Sequence, residues 1–346
     1  MSRPPATAAA LLATAAATVA LAAPAAAQEA ETAQTPPATT PTAPPPPPEP
    51  KPAPKAGKTS IDVDVGLMTS KLRYVARGGV IDITGTARPY VPGQLAVLVV
   101  RRAGKVVGRK RVKIKRGRRG TGRIEFAYKA RAKGLHRAKI IHRATPRQRA
   151  FESKAVRFKS ITASANAGER GTKVLLLQRG LKKLGYAVGV TGYYDDGTSR
   201  AVIAFRKVNE MDRIGYASPT VYSQILQGKD AFQPRYPNAG YHIEYDWSKQ
   251  ALAFVRDGKP YRVYHSSSGA PSTPTVFGTF TFYRKEPGTN SLGMVHSNYF
   301  IRGYAIHGYK SVPTYPASHG CLRVPVPNAL QIDGMIEIGM KIMVYR

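Results

Sequence analysis

Residues 304–324 read YAIHGYKSVPTYPASHGCLRV and contain the only cysteine of the 346-residue chain, Cys321. His307 lies fourteen residues before this cysteine, and His319 lies two residues before it. A thiol is a poor nucleophile until it becomes a thiolate, and a nearby imidazole lowers its pKa or accepts its proton. The stretch is therefore a candidate for cysteine chemistry assisted by histidine.

Two other interpretations of these residues compete with catalysis. Zinc also binds Cys and His, but Cys321, His307 and His319 supply at most three soft ligands and lack the C-x-x-C or H-x-x-x-H spacing of common zinc sites. We therefore expect no metal and no other cofactor. A buried, chemically inert thiol is the second alternative, and the residues by themselves leave it open.

Residues 1–27 have the pattern of a secretory signal peptide. They contain one early cation, Arg3, then an Ala- and Leu-rich stretch over residues 8–23, and they end in Ala25-Ala26-Ala27, which fits an A-x-A cleavage site. An uncleaved membrane anchor is the alternative, although the apolar run is shorter than the roughly 20 residues that span a bilayer. We expect an exported protein, in the cell wall or on the periplasmic side of the membrane.

Export also bears on the single cysteine, because secreted proteins usually keep cysteines for disulfides. One cysteine cannot form an internal disulfide, so Cys321 stays a candidate nucleophile. After the signal pattern, residues 28–58 are rich in Pro, Ala and Thr and include the prolines of residues 44–48. Such a segment can bury little apolar surface, so we interpret it as a disordered tether.

The charge of the chain favours an anionic partner. It has 53 Lys and Arg residues against 20 Asp and Glu, a formal net charge of +33. Cytosolic proteins of this kind often bind nucleic acid, but export and the lack of aromatic residues among the cations of residues 101–123 oppose that function. We expect no nucleic acid partner and consider anionic wall polymers instead.

Residues 59–160 predict a β-sandwich of immunoglobulin-like size, because about seven short alternating runs are broken by Gly, Pro and basic turns. The predicted strands cover residues 61–65, 80–87, 95–101, 106–115, 123–129, 138–142 and 155–158. Residues 101–150 hold 20 Lys or Arg and one acid, Glu125. Alternation such as Val112-Lys113-Ile114-Lys115 puts the cations on one face. That face is either simply solvated or in contact with a wall polymer.

Residues 167–228 change to a helical period and predict three helices. The first ends before Gly185, and the third begins at Ser218-Pro219, a good N-cap and first-turn pair. The pattern resembles the small three-helix peptidoglycan-binding module, a likeness carried by Val174, Leu177-Gln178, Leu181, Leu184-Gly185-Tyr186, Gly192, Tyr194-Asp195, Thr198, Ala201-Val202 and Phe205. The resemblance implies binding of glycan or stem peptide, with a structural spacer as the alternative.

Residues 239–346, which follow a linker over residues 231–238, return to a strand pattern. Runs over residues 251–256 and 261–265 flank Asp257-Gly258, a strong signal for a β-hairpin. Further strands are predicted over residues 241–245 and 341–345. We therefore expect a β-rich domain.

From about residue 240 onward the chain resembles the catalytic domain of L,D-transpeptidases, called the YkuD fold. The signature of that family is His-Gly, followed after a loop by Ser-His-Gly-Cys and then by Arg or Asn two residues later. His307-Gly308, the run Ser318-His319-Gly320-Cys321 and Arg323 match every element. Supporting parts of the family pattern also match, at Ser268-Gly269, Thr273-Pro274-Thr275, Gly278, Asn298-Tyr299-Phe300 and Gly303.

The resemblance implies a role for each residue of the signature. Cys321 would be the nucleophile and His307 the general base, while His319 would shape the pocket and support the thiolate. Gly320, which has no Cβ, would let main-chain N–H groups approach a developing oxyanion. Arg323 would hold the cysteine loop or bind a substrate carboxylate.

One position departs from the pattern of some family members. Those members have a serine directly after the base histidine, where it orients the ring, and this chain has Gly308 instead. The ring of His307 must then be oriented by a main-chain carbonyl or by another side chain. The sequence leaves the third member of the triad open.

The reaction that the resemblance implies is ping-pong acyl transfer. Cys321 would attack the carbonyl of the third residue of a donor tetrapeptide stem, release D-alanine, and pass the acyl group to an amine of a neighbouring stem. Water as the acceptor would make the chain an L,D-carboxypeptidase, and a protein lysine would make it an anchoring enzyme. A non-catalytic wall-binding scaffold is a further alternative. The family also predicts inhibition by carbapenems.

Overall fold

The computed structural model describes residues 48–70 and 72–346. The predicted signal peptide and residues 28–47 of the predicted tether lie outside the described residues. Residues 52–346 belong to one unit, which contains a β-sandwich, a helical module and a β-rich domain in chain order. Within the described ranges, no helix is long and apolar enough to cross a membrane.

The β-sandwich forms because its longer strands bury every second side chain. In Val80–Arg88, for example, residues 81, 83, 85 and 87 are buried, as expected of a strand with one face on a core. The strands described here are β1 (Lys58–Thr59), β2 (Asp62–Val63), β3 (Leu67–Thr69), β4 (Leu72–Ala76), β5 (Val80–Arg88), β6 (Leu95–Arg102), β7 (Lys105–Lys113), β8 (Lys115–Arg116), β9 (Gly122–Lys129), β10 (Gly134–His142), β11 (Phe151–Glu152) and β12 (Val156–Ile161).

Two sheets enclose the core of the sandwich. The first runs β1-β5-β9-β8 with β2 beside β5, and the second runs β3-β4-β12-β10-β6-β7 with β11 beside β10. Ile83 and Phe126 from the first sheet meet Leu98, Ile140 and Phe158 from the second in one buried cluster. The two sheets are therefore held together by burial of apolar surface between them.

The predicted number of strands, about seven, is wrong for the described residues. The predicted run 106–115 is two strands, and β4 was missed because it does not alternate between buried and exposed positions. Strands such as β1 and β11 contain only two residues, which is too short for a periodic signal. An immunoglobulin-like topology stays a prediction.

Three helices fall within residues 167–228: α1 (Thr172–Lys183), α2 (Asp196–Val208) and α3 (Pro219–Leu226). α3 begins where Ser218-Pro219 predicts, since the Ser218 side chain accepts a hydrogen bond from the Val221 N–H. α1 ends just before Gly185, which has a φ of 92°, a value that glycine adopts without steric cost.

The glutamine of the module pattern has a structural function. Gln178 is fully buried, and its Oε1 accepts hydrogen bonds from the N–H groups of Thr191 at 2.9 Å and Gly192 at 2.8 Å. Its Nε2 donates to the Tyr193 carbonyl at 2.7 Å. The side chain thus satisfies the main chain of the loop between α1 and α2, because buried polar groups need partners.

The β-rich domain contains two sheets and one helix. The sequence pattern predicted strands here but not the helix. Its elements are β13 (His242–Asp246), β14 (Ala251–Arg256), β15 (Lys259–His265), β16 (Gly278–Thr281), β17 (Arg284–Thr289), β18 (Val295–Ile301), β19 (Tyr304–Tyr309), β20 (Leu322–Pro325), α4 (Val326–Asp333) and β21 (Lys341–Tyr345). One sheet has the order β15-β14-β13-β21-β16, and the other has the order β17-β18-β19-β20. The predicted β14–β15 hairpin is present.

The helical module packs directly on the β-rich domain. Helix residues such as Phe205 share a buried cluster with Ala253 of β14 and Val263 of β15. Main-chain hydrogen bonds also connect the module to β15. The Val263 N–H donates to the Gly185 carbonyl at 2.8 Å, and the Ala187 N–H donates to the Val263 carbonyl at 3.0 Å. The module is thereby fixed along one edge of the sheet.

Candidate active site

His307 lies on β19, and Cys321 directly precedes β20, the strand that pairs with β19 in parallel. In the register of β19 with β20, Ile306 lies opposite Leu322 and His307 lies opposite Arg323. Cys321 directly precedes β20, next to Ala305, and the two pack in one cluster with Met294 and Tyr299. The thirteen residues between His307 and Cys321 therefore form a connection that returns beside its starting strand.

His307 is held in a defined tautomer. Its ring is buried, and Nδ1 lies 2.9 Å from the carbonyl oxygen of Gly308. A carbonyl can only accept a hydrogen bond, so Nδ1 carries the proton and Nε2 keeps its lone pair. Burial lowers the pKa of His307, and the positive charge of Arg323 lowers it further against the opposing effect of the Gly308 carbonyl. The ring is therefore neutral at pH 7 and able to accept a proton.

The carbonyl of Gly308 takes the orienting position that the sequence left open. Helix α4 explains why glycine is present, since a Cβ at Gly308 would lie 2.7 Å from the Cβ of Ala329 and 3.1 Å from the Cβ of Val295. Such contacts are too short for ordinary packing. A serine at this position would therefore push against α4, and the main chain orients the ring instead.

Cys321 is a partly exposed thiol in its protonated form. Its Sγ donates to the Gly303 carbonyl at 3.5 Å. Burial raises the pKa of the Cys321 thiol, while the main chain at Ala305 and the charge of Arg323 act in the opposite direction. The directions of the two pKa shifts thus favour a thiol and a neutral imidazole.

Cys321 lies in a tight turn. The Gly320 N–H donates to Ser318 Oγ at 3.0 Å, and Ser318 Oγ donates to the Cys321 carbonyl at 2.5 Å. Gly320 has a φ of 109°, and a Cβ there would lie 2.5 Å from Cε1 of Tyr304. Only glycine fits this position without strain. The Gly320 N–H is therefore already engaged within the turn.

Comparisons with known proteins identify the family. Residues 240–344 match the model of the YkuD family, described as the L,D-transpeptidase catalytic domain, and residues 170–224 match a putative peptidoglycan binding domain. An L,D-transpeptidase from Xylanimonas cellulosilytica is 33% identical in sequence over 54% of this chain and 98% of that one, with a TM-score of 0.49. Residues 240–344 are an L,D-transpeptidase catalytic domain of the YkuD family.

A second solved structure is the catalytic domain of an L,D-transpeptidase from Enterococcus faecium acylated by ertapenem. It is 28% identical over 31% of this chain and 97% of that chain, with a TM-score of 0.26. No curated protein matches the chain. The family membership makes this chain an enzyme, an L,D-transpeptidase with a peptidoglycan-binding module.

Arg323 and His319, two further signature residues of this L,D-transpeptidase, differ in their surroundings. The guanidinium of Arg323 lies 4.2 Å from the centre of the Tyr309 ring and donates to the Ala317 carbonyl at 3.2 Å. Its main chain pairs with Ser267 in both directions, at 2.8 and 3.0 Å. The side chain of His319 is exposed. Arg323 therefore braces the cysteine loop from within, and His319 lies at its surface.

A second loop of the L,D-transpeptidase, residues 269–275, is hydrogen-bonded to the turn that carries Cys321. Thr275 Oγ1 donates to the Gly320 carbonyl at 2.7 Å and accepts from the Gly269 N–H at 2.8 Å. Thr273 Oγ1 donates to the Ser318 carbonyl at 2.9 Å. The Ser-Gly and Thr-Pro-Thr segments that support the family pattern are thus hydrogen-bonded to the turn that carries Cys321.

No pattern in the sequence predicted the apolar wall beside the thiol. Met294 and Tyr299 are buried and pack against Ala305 and Cys321, although Tyr299 appeared only as a supporting match to the family. Among the described residues, no group of three or more His, Cys, Asp or Glu could hold a metal ion.

The lowered pKa of His307 predicts the pH dependence of alkylation of Cys321 by iodoacetamide. Because the ring accepts the proton only when neutral, the rate should fall with acidification only below its ordinary pKa of about 6.5, and it should be level from there to about pH 8. In His307→Gln the rate should instead follow ionisation of the thiol, whose pKa is raised, and increase about tenfold per pH unit up to pH 9.

The measurement is the rate constant for loss of free thiol across pH 5 to 10, with His319→Gln as the matched histidine control. A wild-type profile that rises tenfold per unit through neutral pH would contradict a base role for His307.

Proposed function

We propose that this enzyme crosslinks peptidoglycan stem peptides through a thioester on Cys321. The observation that supports the proposal is the pairing of β19 with β20, which puts the turn of Cys321 beside the strand of His307, whose Nδ1 is bonded to the Gly308 carbonyl and whose Nε2 is left to accept a proton. Such a pair supplies both a nucleophile and the base that activates it. The catalytic residues are Cys321 and His307.

In the first half-reaction, the Cys321 sulfur attacks the carbonyl of the third residue of a donor tetrapeptide stem. Nε2 of His307 takes the thiol proton, and the carbonyl becomes a tetrahedral oxyanion. Collapse of the oxyanion breaks the C–N bond to the terminal D-alanine. The amine of D-alanine receives the proton from His307 and leaves, and a thioester remains on the enzyme.

The oxyanion needs hydrogen-bond donors that are in place before the reaction. We assign this function to the Cys321 N–H, since the Gly320 N–H is bonded to Ser318 Oγ. Ser318, Gly320 and the carbonyl of Gly308 act by shaping the turn and orienting the base. Arg323 holds the cysteine loop, and the exposed His319 lines the rim of the pocket where a stem peptide enters.

In the second half-reaction, the side-chain amine of a neighbouring stem attacks the thioester. His307 accepts a proton from the amine, an amide bond forms between the two stems, and the sulfur leaves as a thiol. Water as the acceptor would give an L,D-carboxypeptidase, and a protein lysine would give a protein anchored to the wall. A non-catalytic scaffold is disfavoured, because the nucleophile and the base are both present.

Intact mass spectrometry tests this function directly. Purified enzyme incubated with a tetrapeptide stem should gain the mass of the stem minus D-alanine, and Cys321→Ala should gain nothing. The products at longer times separate crosslinked stems from hydrolysed ones. Release of D-alanine by folded Cys321→Ala at the wild-type rate would contradict the assignment.

A carbapenem should acylate the same sulfur. The proposal is supported by the ertapenem-acylated catalytic domain from Enterococcus faecium. We further propose export to the cell wall, on the basis of the signal pattern in residues 1–27 and the match to a putative peptidoglycan binding domain.

We also propose that the sandwich binds anionic wall polymers through the outer face of its second sheet. Arg157, Arg137 and Arg101 lie directly opposite one another on the adjacent strands β12, β10 and β6, and all three are exposed. Like charges opposite each other destabilise a sheet. The salt bridges of the described residues give none of the three an acidic partner.

The spacing of this arginine row fits a chain of phosphates. Neighbouring strands lie about 4.8 Å apart, and a guanidinium binds phosphate through two parallel hydrogen bonds. Arg109 and Arg111 on β7 extend the same face through their pairing with Val99 and Val97 of β6. A polymer rich in phosphate would therefore relieve the repulsion between the arginines.

Replacing Arg101, Arg137 and Arg157 together by Gln should weaken binding to purified cell walls at least tenfold at 0.15 M salt. The control replaces the exposed cations Lys182, Lys259 and Lys341 by Gln, which removes the same charge elsewhere. Binding should also fall for wild-type protein on walls from which phosphate polymers have been extracted. An equal loss in both triple variants would show that only net charge matters.

A further inference from the structure

Lys207, on helix α2 of the peptidoglycan-binding module, is a buried cation that the proposed chemistry does not use. Only 1% of its surface is exposed. Its Nζ donates to Nδ1 of His265 at 2.9 Å and to the carbonyl of Ser266 at 2.7 Å. Burial, followed by the positive charge of Arg213, lowers the pKa of Lys207 well below its ordinary value. Both hydrogen bonds cross from the module to the catalytic domain.

The lysine continues through His265 to the catalytic loop. Nε2 of His265 lies 2.9 Å from the carbonyl of Val312, so Nε2 donates and Nδ1 is left to accept from Lys207. Burial and the charge of Lys207 lower the pKa of His265 to about 3, which keeps the ring neutral. Lys207 therefore donates to His265, and His265 donates to the Val312 carbonyl.

A second cation of the module holds the same loop. Arg213 follows α2, and its Nη1 donates to the carbonyl of Thr314. Its Nη2 donates to the carbonyl of Ser248, at 3.0 Å, in the turn between β13 and β14. Val312 and Thr314 both lie between the strand of His307 and the turn of Cys321. Two carbonyls of this connection are thus held, directly or through His265, by the module.

Ser266 also links Lys207 to the strand that follows Cys321. While the Ser266 carbonyl accepts from Lys207, its Oγ donates to the carbonyl of Arg323 at 2.7 Å. Arg323 stands two residues after Cys321 and opposite His307 in the strand register. A displacement of Lys207 would therefore disturb both the connection that precedes Cys321 and the strand that follows it.

The position is costly for a lysine, which suggests a function beyond packing. Burying an ammonium group is unfavourable unless its hydrogen bonds are satisfied, and an apolar side chain of the same length would fill the site without that cost. The causes that set the pKa of Lys207 include no acidic residue. The contacts that the lysine does make all lead to the cysteine loop or its neighbours.

We propose that Lys207 and Arg213 are positioning residues, through which the peptidoglycan-binding module sets the conformation of residues 310–317 and thereby aligns Cys321 with His307. The proposal rests on the catalytic roles of those two residues. Under this proposal the module contributes to catalysis. Loss of the hydrogen bonds between α2 and the catalytic domain would slow acyl transfer even though the residues that contact substrate are unchanged.

The test compares the full-length chain with Lys207→Met, which keeps the length of the side chain but cannot donate, and with Arg213→Gln. At saturating tetrapeptide, kcat should fall at least tenfold in Lys207→Met and about threefold in Arg213→Gln, while KM for the donor stays within twofold. Lys183→Met, at an exposed position of α1, should match the wild type in both constants.

A merely structural role predicts something different. It would lower Tm without changing how the folded enzyme reacts, so folded Lys207→Met with wild-type kcat would overturn the proposal. If Lys207→Met does not fold, the decision falls to Arg213→Gln, whose side chain is only partly buried, and an unchanged kcat in that variant would overturn the proposal.

Alkylation of Cys321 by iodoacetamide separates failure of this proposal from failure of the proposed function. The reaction needs no stem peptide, so it reports the alignment of thiol and imidazole even if no acyl-enzyme forms. In Lys207→Met, the rate should lose its level region near neutral pH and follow ionisation of the thiol instead. A variant profile equal to that of the wild type would contradict the positioning role.

Discussion

The parallel pairing of β19 with β20 is the constraint on which the catalytic site depends. It places the turn that carries Cys321 beside the strand that carries His307, with Ile306 opposite Leu322. Hydrogen bonds from Ser267 and Thr275 hold the turn on one side, and α4 packs under the strand on the other. A shift of the register by one residue would turn His307 to the opposite face of the sheet. The surrounding loops therefore serve to keep one register.

Burial favours the uncharged forms of His307 and Cys321, the two residues of the proposed catalytic pair. It lowers the pKa of His307 and raises that of Cys321, and a neutral pair avoids the desolvation cost of a buried ion pair. In the proposed reaction, charge then appears only when the substrate carbonyl is present to receive the sulfur. The Gly308 carbonyl completes this arrangement, because it fixes which ring nitrogen is free.

Local patterns in the sequence predicted much of this structure. The Ser218-Pro219 pair marks the start of α3, and Asp257-Gly258 marks the hairpin, because both signals depend on residues close in the chain. Helix α4 was missed, since eight residues with Pro327 near the start give a weak period. Lys207 could not be recognised at all. A lysine on an amphipathic helix usually faces solvent, and its burial here depends on His265, 58 residues later in the chain.

The protonation state of His307 at rest is the central claim of this account, and nitrogen-15 NMR of the imidazole rings measures it most directly. In the wild-type enzyme at pH 7, the His307 ring should show a protonated Nδ1 and an unprotonated Nε2, and the signal should be assigned by its loss in His307→Gln. Cys321→Ala should leave the tautomer unchanged, because the Gly308 carbonyl sets it. A doubly protonated ring at pH 7 that becomes neutral in Cys321→Ala would reveal a thiolate–imidazolium pair and contradict the account.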